Sequence, residues 1–361
     1  MNLVIYGAQA IALGAYRAIK TLYPKRVVNC FLVSSASGNA SVLSGLPVVE
    51  IAEYATGLST DEKAGTEVLI ATPENVMGAI EETLEAHGFR CHVRLTSLRW
   101  AKLMGYYYAA GGKYLPLAAL PVGFHRPEIK MFMAKFYRDK PLKSKYPIPG
   151  WIVPIQVGAA LCEERVADIL DCEGENISCK NVNYSELTAL YWIWKNRLTR
   201  KEAGDNGTYY GLVHYRRVLE LSEDDLSKLI DNEVDAVLPY PMPYEPDIGE
   251  HHKRYLADGD WEALCEALAE LQPEYAEAFP SILGQQYFYN YNIILARKSV
   301  LEEYCGWLFP ILERVEELST PKGRERQDRY IGYMGETLAT LYFMHNRDRL
   351  NIVHTGCRFL I

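Results

Sequence analysis

The sequence contains no long uninterrupted apolar run. Its hydrophobic stretches are broken by charged or turn-forming residues before the roughly 18 residues needed to cross a bilayer, which predicts no membrane-spanning helix. Residues 1–20 lack the basic start of a secretory leader, so none is expected. The 8 cysteines form no CxxC pair, which removes the usual zinc-ligand spacing and leaves reduced thiols as the simplest reading. Positive charge is also short: 38 Lys and Arg face 46 Asp and Glu, for a net charge of −8. No global positive field is there to recruit nucleic acid, and no nucleic-acid partner is expected. What is abundant is tyrosine, 26 in 361 residues. Its flat apolar ring and polar tip suit both core margins and sugar-binding surfaces.

The first part of the chain alternates short apolar runs with helical periodicity. Strands are predicted near residues 3–6, 27–33, 46–51, 67–71 and 91–95, with helices over 8–19 and 74–87. That alternation predicts a Rossmann-like parallel sheet. A dinucleotide fingerprint needs G-x-G-x-x-G at the first turn. The chain offers Gly7, Ala8, Gln9 and Ala10, and Ser34 and Ser35 stand where an acidic residue would hold a ribose. The pattern argues against a nicotinamide-dependent oxidoreductase. Residues 97–125 read as a connection, which places a boundary near Arg126: an accessory domain over 1–125 and a second α/β domain over 126–361.

The densest polar chemistry lies between residues 171 and 217. Asn183 stands three residues before Glu186, the spacing of an N-cap and its capping-box partner. Leu187, Leu190, Tyr191 and Trp194 then fall on one helical face. Asn176, Ser178, Lys180, Asn181 and Asn183 crowd the predicted N-terminus, where free amides favour an anion. A plain cap needs one such residue. The next strand is read as running from Tyr210 to Arg217, so alternation puts His214 and Arg216 on one face and Tyr215 and Arg217 on the other. Arginine binds phosphate oxygens bidentately and keeps its charge.

The runs NISCKNVNYSELTALYWIWKN at 176–196 and GLVHYRR at 211–217 resemble a bacterial family found in capsular and exopolysaccharide gene clusters. It was long catalogued as a domain of unknown function and is regarded as a glycosyltransferase family. The resemblance covers residues 129–345. It includes KMFMAK at 130–135, PIQVGA at 154–159, His251-His252, YNYNII at 289–294 and RYIGYMGE at 329–336. It implies a glycosyltransferase-A-like fold, which some members precede with a Rossmann-like module. The chain departs from the family at 171–176, where DCEGEN replaces an Asp-Asn-x-Gly-Asp-Asn loop and changes the side-chain lengths.

The remaining candidates follow. His251 and His252 are read as substrate contacts, with no third ligand to complete a metal site. Asp258-Gly259-Asp260 is formally a D-x-D, but Asp260 immediately precedes a predicted helix over 261–271 and is read as its N-cap. A strand over 289–296 puts Asn290 and Asn292 on one face, suited to sugar hydroxyls. The charged run at 322–329 reads as a solvated loop. Glu336 is the candidate base, with Asp328 as second choice.

The expectation is an α/β protein, an N-terminal Rossmann-like sheet domain followed by a glycosyltransferase-A-like domain, that moves a sugar from a nucleotide-sugar donor, a UDP-sugar first, to a glycan or lipid-linked glycan. It would work in surface polysaccharide synthesis in the cytoplasm, with peripheral attachment to the inner face of a membrane as one arrangement. Whether a divalent metal takes part is left open. Asn176, Ser178, Lys180, Asn181, Asn183, His214, Arg216 and Arg217 would serve the donor. His251, His252, Asn290 and Asn292 would serve the sugar or acceptor, and Glu336 or Asp328 the proton. The alternative is a non-catalytic nucleotide- or carbohydrate-binding protein whose first domain is the sensor.

Overall fold

The computed structural model describes residues 2–143, 147–199, 207–252 and 254–361. Residues 200–206, a short polar run before the strand that ends in His-Tyr-Arg-Arg, lie outside them. The first sheet is built from β1 (Asn2–Tyr6), β2 (Val28–Val33), β3 (Val42–Leu43), β4 (Leu46–Glu50), β5 (Thr66–Ile70) and β6 (Cys91–Arg94), in the order β3-β4-β2-β1-β5-β6. Pairing is parallel except for the short β3–β4 hairpin. The alternation of apolar runs and helices therefore forms the parallel sheet it predicts, because the central strands β1, β2 and β5 are buried for most of their length. Helices pack on it, including Ala10–Leu22 directly after β1.

Residues 97–125 are more than a connection. They contain the 15-residue helix Ser97–Gly111, capped by the Thr96 side chain and closed by left-handed Gly112. Its tyrosines join the two sheets. Tyr108 stacks on Tyr240 and donates to the Pro241 carbonyl at 2.6 Å, and Tyr107 bonds Tyr287 at 3.0 Å. One apolar core runs from beneath β1 to the helix Lys298–Leu318 and the helix Tyr330–His345.

The second sheet comprises β7 (Glu128–Lys135), β8 (Ile152–Gln156), β9 (Ile169–Leu170), β10 (Thr208–His214), β11 (Arg217–Leu219), β12 (Ala236–Pro239), β15 (Ile294–Arg297), β16 (Ile352–Thr355) and β17 (Cys357–Phe359). β13 (Met242–Pro243) and β14 (Tyr287–Phe288) form a separate ribbon. The main order is β16-β12-β15-β10-β7-β8-β9. Only β15 runs against its neighbours on that path. β10 lies against β15 closely enough that a Cβ at Gly211 would stand 2.4 Å from the Ile294 carbonyl oxygen, so glycine is required there.

The polar stretch at 171–183 folds differently from the sequence expectation. No helix starts at an Asn183 cap. A 3-10 turn Ser178–Lys180 leads into the short helix Asn181–Tyr184, then strained Ser185 (φ 50°), then the helix Leu187–Ile193. All seven residues of that last helix are buried, so the predicted one-sided stripe is a helix enclosed on every side. The polar groups are committed to one another. Buried Asp171 accepts from the Gly158 and Ala159 amides at 2.8 and 3.0 Å and from Ser178 Oγ at 2.5 Å. Asn176 bridges the Cys172 and Gly174 carbonyls, Asn181 donates to the Ser185 carbonyl, and Lys180 pairs with Glu316 at 2.6 Å. Asn183 donates to the Asp328 carbonyl at 2.8 Å. These bonds explain the density of polar residues as loop architecture, because an irregular buried backbone needs side-chain partners. Asp171→Ala would strand three donors at once. It should cost about 2–4 kcal/mol in urea unfolding, whereas Asn176→Ala, which removes bonds at a half-buried rim, should cost less, about 1–2 kcal/mol.

Candidate functional site

β7, β8, β10, β12 and β16 point the same way, so their carboxyl ends form one edge of the second sheet. The turn before antiparallel β15 arrives at that edge, since Leu212 pairs with Ile294. Ligands of open α/β sheets bind outside such an edge.

His214 is the last residue of β10, and Tyr215-Arg216 is a turn, so the strand does not continue to Arg217 as alternation required. Arg217 begins β11 and pairs directly with His214. Antiparallel partners share a face, so His214 and Arg217 lie together and Arg216 is turned away. Arg216 donates to the Lys140 carbonyl at 3.3 Å and stacks on Tyr215. The Arg217 guanidinium lies 4.1 Å from the Tyr291 ring centre and 5.1 Å from that of Phe359. Among the described residues no carboxylate lies within ion-pair distance of it.

The expected strand over 289–296 is also shorter. Residues 289–293 lie outside any strand, and Tyr291 (φ 77°) and Asn292 (φ 49°) form a turn in which both are left-handed. Each such non-glycine residue costs about 1 kcal/mol or more, and such strain collects at working sites. The turn aims Asn292 inward. Its Nδ2 donates to Glu186 Oε1 at 2.7 Å and to the Gly332 carbonyl at 3.2 Å, and its Oδ1 has no partner. Asn290 Nδ2 donates to the Tyr244 hydroxyl at 3.0 Å, and its Oδ1 is likewise unpartnered.

Glu336 faces this turn. It sits in the second turn of the helix Tyr330–His345, too far along for its role to be complementing the helix dipole. Gly335 makes the position possible, because a Cβ there would come within 2.6 Å of Leu187 Cδ1. Burial foremost, then the Glu186 carboxylate, push the Glu336 carboxyl up to about 8, against the Tyr291 amide that bonds it and the charges of Arg329 and Arg217. Glu186 itself is 6 % exposed, accepts from Arg329 at 3.2 Å, and lies 3.9 Å from His214 Nε2. Burial holds the His214 imidazole below its ordinary pKa, so the ring is neutral at pH 7 and Nε2 is unpartnered. Glu336, Glu186, His214, Arg217, Arg329, Tyr291 and Asn292 thus form one constellation of two coupled carboxyls, one neutral imidazole and two arginines.

Other sequence candidates lie elsewhere. The Asp328 carboxylate is exposed and paired with Arg326 at 2.8 Å. Asp260 is not a cap. The helix is Asp258–Leu271, and Asp260 gives both oxygens to Arg326 at 2.7 and 2.8 Å, which leaves no D-x-D pair facing a metal. Among the described residues no three His, Cys, Asp or Glu groups are placed to hold a metal ion. His251 and His252 close a short helix. His252 is enclosed by Trp261, Phe288 and the Thr337 hydroxyl, and burial pushes it down to about 3. His251 stacks on Tyr244 at 3.7 Å. The charged run is not merely solvated, since Arg326 and Arg329 reach buried carboxylates. Sequence reasoning missed Glu186, taken only as a cap partner, and Arg329. The one signal for both was their presence inside the motifs NISCKNVNYSELT and RYIGYMGE.

Residues 140–347 match the family described as Domain of unknown function (DUF4422). The chain belongs to this family. It is also similar to a solved structure, the apo form of WbbM, a bifunctional glycosyltransferase, with a TM-score of 0.53 and 26% identity. The match covers 64% of this chain and 45% of that one, so the chain spans under half of that protein's length. No curated protein matches it. The fold is α/β, a Rossmann-like parallel sheet followed by a glycosyltransferase-A-like unit. All seven residues of the constellation fall inside the DUF4422 match. Among the described residues no helix is long and apolar enough to cross a membrane.

The raised Glu336 group has a measurable consequence. Between pH 4.5 and about 8 the folded DUF4422 chain keeps a proton that the unfolded chain has released. Stability therefore falls as pH rises through this window. Glu336→Gln removes the loss, so its Tm should exceed that of wild type by roughly 2–4 °C or more at pH 8.5, and the gap should close below pH 4.5.

Proposed function

We propose that this chain is a glycosyltransferase that takes a nucleotide sugar, a UDP-sugar first, and transfers the sugar to a hydroxyl of a glycan or lipid-linked glycan. The observation that carries the reading is Glu336, a carboxyl pushed up to about 8, at the carboxyl edge of the sheet among Glu186, His214, Arg217 and Arg329. A similar structure named as a bifunctional glycosyltransferase supports the class of reaction. A base poised near working pH is suited to remove the acceptor proton as the hydroxyl attacks. Arg217, with no ion-pair partner, is suited to the charge that develops on the departing diphosphate. Asn292 and Arg329 hold Glu186, and Glu186 in turn raises Glu336. The segment 1–125 is taken as an accessory module, and surface polysaccharide assembly on the cytoplasmic side of a membrane as the setting.

Purified full-length protein, incubated with a panel of nucleotide sugars and with glycan acceptors, should release nucleoside diphosphate. kcat/KM should climb with pH and level off above about 8. Glu336→Gln should lose roughly 100-fold or more. Arg217→Ala should lose about as much as a missing charge contact in the transition state costs, roughly 10- to 100-fold, while Arg216→Ala should stay within about threefold. If nucleotide sugars bind but none turns over at any pH, the enzyme reading fails and a binding protein remains.

A further inference from the structure

The carboxyl edges of the two sheets face one another. Between them lies a cavity of about 110 Å³. Thr72, just after β5, and Trp100, in the helix after β6, line it from the first sheet. Asn290, Tyr291 and Arg217 line it from the second. Among the described residues ten buried side-chain polar atoms lack a partner, and three of them belong to side chains on this one cavity: Thr72 Oγ1, Trp100 Nε1 and Asn290 Oδ1. A buried polar group left without a partner is costly, so three on the side chains of one cavity point to a ligand that satisfies them.

Their chemistry narrows the ligand. The indole N–H only donates, the amide oxygen only accepts, and the threonine hydroxyl does both. A ring bearing several hydroxyls meets all three demands. The remaining walls include Pro73, Tyr240 and Phe359, flat apolar surfaces on which the C–H face of a sugar packs. Tyr291 also supplies the amide that holds Glu336, so the cavity opens beside the candidate base. A base serves the attacking hydroxyl, which belongs to the acceptor.

We infer that this cavity binds a neutral sugar ring, the terminal residue of the acceptor, and that the N-terminal sheet supplies one wall of the site. The acceptor role rests on the glycosyltransferase reading; the sugar site rests on the cavity. The first sheet is then a working part of the site, and the residues 140–347 that match the family lack the side chains Thr72 and Trp100 needed to complete it.

The test uses the full chain, saturation-transfer NMR and a panel of methyl glycosides of common hexoses, deoxyhexoses and N-acetylhexosamines, with UDP as the donor-side probe. At least one glycoside should bind. Thr72→Val, which keeps the shape and removes the hydroxyl, combined with Trp100→Phe, which keeps an aromatic ring and removes the N–H, should weaken it tenfold or more and leave UDP affinity unchanged. Thr72→Val alone should give a smaller loss in the same direction, which covers the case that the Trp100 variant fails to fold. The inference is overturned if no glycoside binds, if the variants bind as tightly as wild type, or if UDP occupies the cavity and is the ligand they weaken. If UDP and UDP-sugars neither bind nor react while the glycoside still binds and is lost in the variants, the sugar site stands and the transferase reading falls.

Discussion

The buried Glu186 carboxylate accepts from Asn292 and Arg329 and faces His214, and in doing so ties together segments as far as 143 residues apart in sequence. A carboxylate this enclosed is tolerable only when its oxygens are bonded and a cation is near. The left-handed turn at Tyr291-Asn292, the approach of the final helix at Gly335 and the placement of Arg329 all serve that requirement. The same negative charge helps to raise the neighbouring Glu336. One enclosed anion thereby shapes the geometry of the site and poises the group beside it.

These features oppose stability locally. Two non-glycine residues sit in left-handed backbone, several buried polar atoms lack partners, and Glu336 keeps a proton that an exposed carboxyl would release. The surroundings offset them. The helix Leu187–Ile193 is enclosed on all sides, the helix Lys298–Leu318 packs Trp307, Leu308, Ile311 and Leu312 into the core, and Asp171 pins the loop before them. The polar loop and the site are therefore neighbours with different tasks. The loop uses its hydrogen-bonding groups up in holding itself, and the site leaves some of its own unmet.

The two sheets present their carboxyl edges to a shared space, joined by stacked tyrosines. This gives the tyrosine-rich composition a physical use, since rings with polar tips can pack between two units and still bond across the seam. It also gives the Rossmann-like sheet a place without the glycines of a dinucleotide site.

The periodic signals survived translation into structure. Apolar runs placed the five parallel strands of the first sheet to within a residue or two, because a buried parallel strand must be largely apolar; the two-residue antiparallel β3 carries no such run and was missed. The motifs contain the residues that the structure brings together, and Glu336, His214, Arg217 and Asn292 were all legible as candidates. The errors came wherever the chain turned. A two-residue turn at Tyr215-Arg216 exchanged Arg216 for Arg217, left-handed backbone at 291–292 replaced a strand, and Asn183 became a loop tie instead of a cap. Alternation and capping rules assume that the local element continues, and nothing in one residue's neighbours reports where it stops. Glu186 and Arg329 went unrecognised for a related reason: their partners are brought by other elements. Sequence by itself determined the elements and the chemistry each carries, since propensity and periodicity are local. Which of those groups meet, and how burial and a neighbouring charge change Glu336, only the tertiary structure decided, because enclosure and charge coupling act across space and not along the chain.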